Sequence, residues 1–155
     1  MSRAFVKETD DLPEIPAPER AISSAPNYVT RRGAALIEAE VDRLMDLFNA
    51  SSDADGELLQ PELRYWESRR ASMELIEREP DDDTVGFGME VTIERNARRQ
   101  TIRIVGEDEA DPKEGYISWT SPLARAIEDS GPGESVEFEA GGRIHEIEIL
   151  AVRPI

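Results

Sequence analysis

The chain has 155 residues, 34 acidic against 18 basic side chains and a formal net charge of −16. A surface this negative repels free DNA and RNA at long range, so we expect no binding to naked nucleic acid. The absence of cysteine excludes disulfides and thiolate metal sites, and the absence of an apolar run of roughly 18 residues indicates a cytoplasmic protein without membrane contact.

Residues 1–27 are rich in acidic side chains and contain four prolines. Such a segment cannot bury enough apolar surface to offset the entropy lost on ordering. We therefore predict a disordered acidic tail. Two roles stay open for it: an inert leader, or a docking segment that becomes ordered on a partner through Phe5 and Val6.

Residues 28–79 are predicted to form a helical hairpin. Thr30 is a suitable N-cap, and apolar residues then recur at 4-3-4 spacing along one face, as in a coiled coil. A second helix is expected to start near Pro61, because proline suits a first helical turn, and to end before Pro80. The first stripe consists of Ile37, Val41, Leu44 and Phe48, and the second of Leu63, Trp66, Met73 and Ile76.

The short connection between these helices predicts an antiparallel coiled-coil hairpin with arms of roughly 17 to 19 residues. Its tip holds three carboxylates, Asp53, Asp55 and Glu57, where the chain must turn. Taken alone, this is a solvated polar loop. Residues 80–84 follow the hairpin as a linker, and its consecutive aspartates are too flexible to be preorganised for a metal.

The tip also matches part of a calcium loop. With Gly56 at the sixth position, Asp53, Asp55 and Glu62 stand at the third, fifth and twelfth positions. Ser51 replaces the first aspartate, so coincidence is the simpler interpretation.

The second helix carries a cluster of arginines and aromatic residues, which has two interpretations. Arginine and aromatic side chains can stack on bases, which would give an RNA-facing patch. Alternatively, the tryptophan packs in the hairpin seam while the arginines pair with nearby glutamates. The cluster consists of Arg64, Tyr65, Trp66, Arg69 and Arg70.

Residues 85–155 predict five short strands, with one helix after the third. Apolar and polar residues alternate in the strands, as in half-buried antiparallel sheets. Turn signals occur at residues 96–99 and 141–142. Ser121, Pro122 and Gly131 mark the N-cap, the first position and the end of the helix. The predicted architecture is α+β: a helical hairpin followed by a small, strongly bent antiparallel sheet around one helix.

Two further features of this domain carry no catalytic signal. His145 is the only histidine and lies in the last strand, without the motif of a nucleophilic serine. Gly86 and Gly88 lack the pattern of a phosphate loop, and we expect them to allow close backbone approach.

Three runs of the C-terminal domain identify it more closely. They are Ile104-Val-Gly-Glu-Asp-Glu-Ala-Asp-Pro112, Ile117-Ser-Trp-Thr-Ser-Pro-Leu-Ala-Arg-Ala-Ile127 and Gly133-Glu-Ser-Val-Glu-Phe138. Together they resemble the C-terminal domain of the Gre transcription elongation factors, which bind bacterial RNA polymerase at its secondary channel. In that family this domain looks like the fold of the FK506-binding proteins.

The resemblance implies a function for two regions. The family's polymerase contact involves a Ser-Pro at the start of the helix, which places partner binding at Thr120, Ser121 and Pro122, although Thr120 stands where a more polar or acidic residue is common. The family's acidic hairpin tip holds a second Mg²⁺ in the polymerase active site, against backtracked RNA. Here Asp53, Asp55 and Glu57 would share that Mg²⁺, with none bound by the protein alone, although the family's Asp-x-x-Glu-Asn run is absent.

Two functions follow from the resemblance. In the first, the protein is not an enzyme but lends carboxylates that stimulate the intrinsic nuclease activity of RNA polymerase, and it meets the RNA 3′ end only inside that complex. In the second, it occupies the secondary channel without cleavage and modulates or inhibits elongation. Prolyl isomerase activity is a distant third, because fold similarity alone does not transfer function. We expect a monomer.

Overall fold

The computed structural model of the chain describes residues 19–155. It has two long helices followed by a curled five-stranded sheet with one short helix, which confirms the α+β architecture. No helix in this part of the chain is long and apolar enough to cross a membrane. The elements are β1 (Tyr28–Val29), α1 (Arg31–Ala50), α2 (Asp53–Ser72), β2 (Glu74–Leu75), β3 (Met89–Arg95), β4 (Arg98–Val105), β5 (Tyr116–Ser118), α3 (Pro122–Ile127), β6 (Ser135–Ala140) and β7 (Arg143–Pro154), with a 3₁₀ turn at Pro112–Glu114.

The first helix begins and packs as its sequence predicts. Thr30 is the N-cap, and its Oγ1 accepts a hydrogen bond from the Gly33 N–H at 3.0 Å. Three residues of the predicted stripe are buried and the fourth, Phe48, is half-buried. Twenty residues at about 1.5 Å each give a helix of about 30 Å.

The second helix starts eight residues earlier than expected, at Asp53 instead of Pro61. Ser52 caps it by accepting the Asp55 N–H at 3.3 Å, and acidic residues in the first turn suit the positive end of the helix dipole. Pro61 therefore lies inside the helix, where the loss of one backbone hydrogen bond costs about 3 kcal/mol. The helix continues through Pro61 while it packs against α1, where Gly56 lies against the Phe48 ring.

The earlier start also changes the buried face of α2. Tyr65 and Arg69 are buried, whereas Leu63 and Trp66 are only half-buried. The helix ends at Ser72, so the remaining two residues of the predicted stripe follow it as extended chain. There β2 pairs in parallel with β1, which precedes α1, so that both ends of the hairpin meet at its base.

The five strands of the C-terminal domain form one sheet in the order β5-β4-β3-β7-β6. Neighbouring strands are antiparallel, as predicted, except for the parallel pair β4–β5. The sheet and α3 enclose the core, where each fully buried aliphatic side chain contributes about 2 kcal/mol. The buried core residues are Val85, Met89, Val91, Ile93, Ile102, Ile104, Ala124, Ile127, Ile147 and Ile149.

Both predicted hairpin turns are present in the sheet. Gly141 and Gly142 join β6 to β7 with positive φ angles of 61° and 73°. Asn96 and Ala97 join β3 to β4 with φ angles of 52° and 60°, although alanine disfavours this region. Close backbone approach was expected at Gly86, but the group that approaches it is a side chain: a Cβ there would overlap the Arg78 guanidinium.

Two boundaries differ from the sequence prediction. Helix α3 ends at Ile127 and the left-handed residue after it is Asp129, with φ 65°, so Gly131 is not its terminator. The chain at residues 19–27, predicted as part of a disordered tail, runs along the hairpin. Glu19 pairs with Arg64 at 2.8 Å. Residues 1–18 of the predicted tail, including Phe5 and Val6, lie outside the described residues.

Candidate functional site

The predicted partner-binding residues lie together at the start of α3. Ser121 is the N-cap, and its Oγ accepts the Ala124 N–H at 3.3 Å. Pro122 occupies the first helical position and is exposed. The Thr120 hydroxyl lies 2.8 Å from the Ser118 hydroxyl. Local hydrogen bonds thus fix this loop while its proline remains free to contact a partner.

The loop before α3 rests on an aromatic cluster. The Trp119 ring centroid lies 5.0 Å from that of Tyr28, which in turn lies 5.8 Å from that of Phe87. The backbone N–H of Trp119 donates to Val105 O at 2.9 Å, which ties the loop to β4. The surface at the start of α3 is therefore supported by the core and by the base of the hairpin.

The predicted carboxylates at the hairpin tip do not converge. The chain turns at residues 51–52, and Asp53, Asp55 and Glu57 follow as exposed residues of α2. Helical geometry places Asp53 and Glu57, four residues apart, on one face and Asp55 on the other. Asp55 Oδ2 instead accepts a hydrogen bond from the Ser52 hydroxyl at 3.0 Å.

The helical positions of these carboxylates bear on the calcium-loop hypothesis. Within residues 19–155 no three acidic, histidine or cysteine side chains are grouped so that they could hold a metal ion. The calcium-loop hypothesis is wrong, because residues 53–62 form a helix and cannot wrap around an ion. Asp53 and Glu57 can still provide two ligands to an ion that is held mainly elsewhere. They border a depression of about 350 Å³.

A third group of polar residues was not predicted as a site and joins the hairpin to the sheet. Arg69 is 2% exposed, and its Nε donates to Asp108 Oδ2 at 2.5 Å. Its Nη2 donates to Asn27 Oδ1 at 2.8 Å. The Tyr65 hydroxyl donates to Asp108 Oδ1 at 2.5 Å. One carboxylate of the segment after β4 is thus shared by two side chains of α2.

The next carboxylate of this segment binds the other arm of the hairpin. Glu109 has a side chain that is 2% exposed and accepts a hydrogen bond from the Thr30 hydroxyl at 2.6 Å. Arg32 donates to its second oxygen at 3.1 Å. Glycine at position 33 leaves room for this carboxylate, because a Cβ there would stand 2.7 Å from Glu109 Oε2 and would displace it. We call residues 106–109 the junction segment.

The junction alters the titration of one tyrosine. Burial, the hydrogen bond to Asp108 and the negative charge of that carboxylate together raise the pKa of the Tyr65 phenol to about 12, with burial the largest cause. The phenol therefore stays protonated and continues to donate to Asp108 across the neutral range.

The arginine and aromatic cluster on α2 agrees in part with the second of its two interpretations, in which these side chains pack and form ion pairs within the protein. Arg69 and Tyr65 are buried in the junction, so neither is available to stack on RNA. Arg64 pairs with Glu19, and Arg70 is exposed. The sequence did contain a signal for this group of contacts. Residues 107–109 are three consecutive acids after β4, and such a run requires cationic partners if it is buried.

The comparisons with known proteins identify the sheet domain. Residues 79–154 match the family model described as "Transcription elongation factor, GreA/GreB, C-term". The C-terminal half of the chain belongs to the GreA/GreB family. The family match includes the junction segment and the start of α3, whereas the hairpin residues that bind the junction segment lie outside it.

Curated relatives match the same half. The chain is 47% identical over 73 residues to transcription elongation factor GreA of Acidiphilium cryptum (strain JF-5), and the match covers 46% of each chain. It is 43% identical over 72 residues to GreA of Maricaulis maris (strain MCS10), covering 45% of this chain and 46% of the relative. The matched part thus spans less than half the length of these relatives.

Solved structures of related proteins are similar over most of the chain, but weakly. GreA factor homolog 1 of Thermus thermophilus has a TM-score of 0.41 at 15% identity, covering 83% of this chain and 99% of that one. A GreA/GreB elongation factor from Nitrosomonas europaea has a TM-score of 0.41 at 18% identity, with coverage of 83% and 98%. At these values neither structure informs the activity of this chain.

Proposed function

We propose that the protein is a cytoplasmic transcription elongation factor that binds bacterial RNA polymerase at its secondary channel and stimulates cleavage of backtracked RNA. The observation that carries this proposal is the family match over residues 79–154, which includes the exposed Pro122 at the start of α3. A helical hairpin about 30 Å long with an acidic tip extends from the same molecule.

The start of α3 is the docking surface in this proposal. Ser121 caps the first turn of the helix, and the Thr120 hydroxyl is hydrogen-bonded to Ser118 and to Glu107, so binding requires little reordering of this surface. Pro122 presents a rigid apolar contact. A formal charge of −16 disfavours free DNA or RNA, so the RNA 3′ end is contacted only inside the complex, by one copy of the chain.

In this proposal the hairpin tip reaches the polymerase active site through the secondary channel. Asp53 and Glu57 are exposed on one helix face, with no ion pair to a described residue. Magnesium in such sites takes one or two protein carboxylates together with phosphate and water, so this pair suits an ion shared with the polymerase. The ion would supply charge stabilisation for attacking and leaving oxygens. The protein contributes ligands and is not itself a nuclease.

The test uses stalled, backtracked elongation complexes with radiolabelled RNA. Wild-type protein should accelerate the release of short 3′ RNA fragments in the presence of Mg²⁺. It should also compete with a GreA protein for the polymerase. Competition without cleavage would instead establish a factor that occupies the channel and modulates elongation, and the absence of both effects would refute the proposal.

A further inference from the structure

We infer that the junction segment, residues 106–109, is a positioning element that fixes the direction of the hairpin relative to the start of α3. The inference rests on the proposed function, because it concerns where the tip lies once the start of α3 has docked. The segment makes three separate sets of contacts, one to each arm of the hairpin and one to the loop before α3.

The contact to α2 is a buried ion pair. Asp108 and Arg69 are 5% and 2% exposed at their side chains, and Asn27 and Tyr65 complete the hydrogen bonds of the two groups. A buried charge without its partner is strongly unfavourable, so the arginine is held to the carboxylates of the junction segment, with Asp108 the nearest. Arg69 lies in the last turn of α2, at the base of the hairpin.

The contact to α1 is made at the N-cap of that helix. The Thr30 hydroxyl accepts the Gly33 N–H and donates to Glu109, so the same atom caps the helix and binds the sheet domain. Backbone packing adds to this contact, because a Cβ at Gly106 would overlap the carbonyl oxygen of Tyr28 in β1. The start of α1 therefore cannot rotate relative to the sheet domain without breaking these contacts.

The third contact reaches the proposed docking surface. Glu107 Oε1 accepts hydrogen bonds from the Thr120 hydroxyl at 3.2 Å and from the Ser23 hydroxyl at 3.0 Å. Its Oε2 is buried without a hydrogen-bond partner in the described residues and faces the Arg69 Nη2 at 3.6 Å. One side chain thus lies between the arginine of the hairpin and the residue that precedes Ser121.

The length of the hairpin makes its direction matter. A rotation of about 10° at the base of a helix of about 30 Å moves the tip by roughly 5 Å. Displacements of about 1 Å can already cost large factors in rate when ligands must be placed accurately. The junction segment therefore controls cleavage through the position of Asp53 and Glu57, without touching the reacting atoms.

The orientation can be measured directly, because the chain has no cysteine. Spin labels are attached to Asn49→Cys near the tip and to Glu139→Cys on β6, both exposed positions. Pulsed electron paramagnetic resonance should give one narrow distance distribution for this labelled parent protein. Asp108→Asn and Glu109→Gln keep the side-chain size but remove the charge, and each should broaden or shift the distribution. Glu114→Gln, on an exposed residue beyond the junction segment, is the control.

The same variants are then assayed on polymerase. We expect Asp108→Asn and Glu109→Gln to compete with the unsubstituted protein for polymerase while losing about tenfold in cleavage stimulation. An unchanged distance distribution in both variants, or unchanged cleavage despite a broadened one, would overturn the inference. If Asp108→Asn fails to fold, the distance distribution and the cleavage rate of Glu109→Gln still test the inference. If the unsubstituted protein itself does not bind polymerase, the proposed function fails, whereas the distance measurement still tests the positioning element.

Discussion

At the scale of single residues, the tip carboxylates are not equivalent. Asp53 and Glu57 share a face of α2, whereas Asp55 is bonded to Ser52 at the helix start. We expect the double variant Asp53→Asn/Glu57→Gln to lose at least tenfold in cleavage stimulation, because it removes both ligands that share a face. Rates of RNA shortening and competition with a GreA protein measure the two functions separately.

Asp55→Asn is the matched control for this prediction. It should keep most of the stimulation and weaken α2 by only a few tenths of a kcal/mol through the helix dipole. Equal losses in the control and in the double variant would show that overall tip charge matters and not the pair on one face.

We expect Pro122 to be required for binding of the protein to RNA polymerase. Pro122→Glu places a charge on the exposed surface, yet glutamate at the first helical position is favourable with the helix dipole, so α3 should persist. We expect loss of polymerase capture in a pull-down with an unchanged circular dichroism spectrum. Pro132→Glu, at an exposed proline in the connection between α3 and β6, should bind like the wild type. Normal capture by Pro122→Glu would rule out this surface.

Tyr65 gives the junction a dependence on high pH. The folded-state pKa of about 12 lies above the ordinary value of 10.0, so the folded state holds the proton more tightly. The phenol therefore contributes its full stability below about pH 10, and this contribution is lost as the pH rises towards 12. We expect Tyr65→Phe to lower the free energy of unfolding by about 1 to 2 kcal/mol at neutral pH.

The measurement is urea unfolding of wild type and Tyr65→Phe at neutral pH and near pH 11.5. The difference between the two proteins should shrink at the higher pH. A constant difference would mean that the phenol does not titrate against Asp108. Tyr116→Phe, on a half-buried tyrosine of β5, is the control.

Which residues could be recognised from sequence depends on how local their role is. The caps Thr30 and Ser121 were predicted correctly, because an N-cap bonds its own helix two or three residues away. Arg69 and Asp108 are 39 residues apart, and no local pattern joins them. The apolar stripe predicted for α2 was also wrong in part. Apolar spacing alone could not show that a charged residue, Arg69, is buried on this helix.

At the scale of elements, α2 shows two local signals in conflict. Pro61 suggested a helix start, whereas Ser52 and the aspartates after it supplied a stronger one eight positions earlier. A proline inside a helix is tolerated when the neighbouring helix holds the arm in place. Here Gly56 packs on the Phe48 ring, where a Cβ would stand 3.3 Å from the nearest ring atom.

The turn between β3 and β4 offers a test of backbone strain. Ala97 has a φ of 60°, a region that costs a residue with a Cβ roughly 1 kcal/mol. We expect Ala97→Gly to raise the free energy of unfolding by about 0.5 to 1 kcal/mol, which denaturant titration can measure. Ala151→Gly, at an exposed position within β7, should instead lower stability.

At the scale of the whole molecule, the sequence predicted the hairpin, the number of strands and the position of the single helix. Strand alternation and the turn signals were sufficient for this. The parallel pairing of β4 with β5 was missed, because it depends on how the segment between them, including the 3₁₀ turn, folds back. The packing of residues 19–27 on the hairpin was missed because their composition carries no apolar pattern.

The hairpin should act by its length. Inserting one heptad in each arm moves the tip by about 10 Å while preserving the seam. We expect unchanged competition for polymerase and loss of cleavage stimulation. Exchanging a heptad in each arm for another of equal length and pattern should leave both unchanged. Full stimulation by the longer hairpin would show that the tip does not work by reach.

The short ladder between β1 and β2 has a consequence for how such a molecule can diversify. It brings residues 29 and 75 side by side, so the helices leave and rejoin the sheet domain at one point. Helical arms of another length, or a tip of another chemistry, can therefore be joined to the same β1–β2 ladder without changing the sheet domain. Only the small set of side chains that meets residues 106–109 must be retained, so tip and docking surface are free to evolve independently.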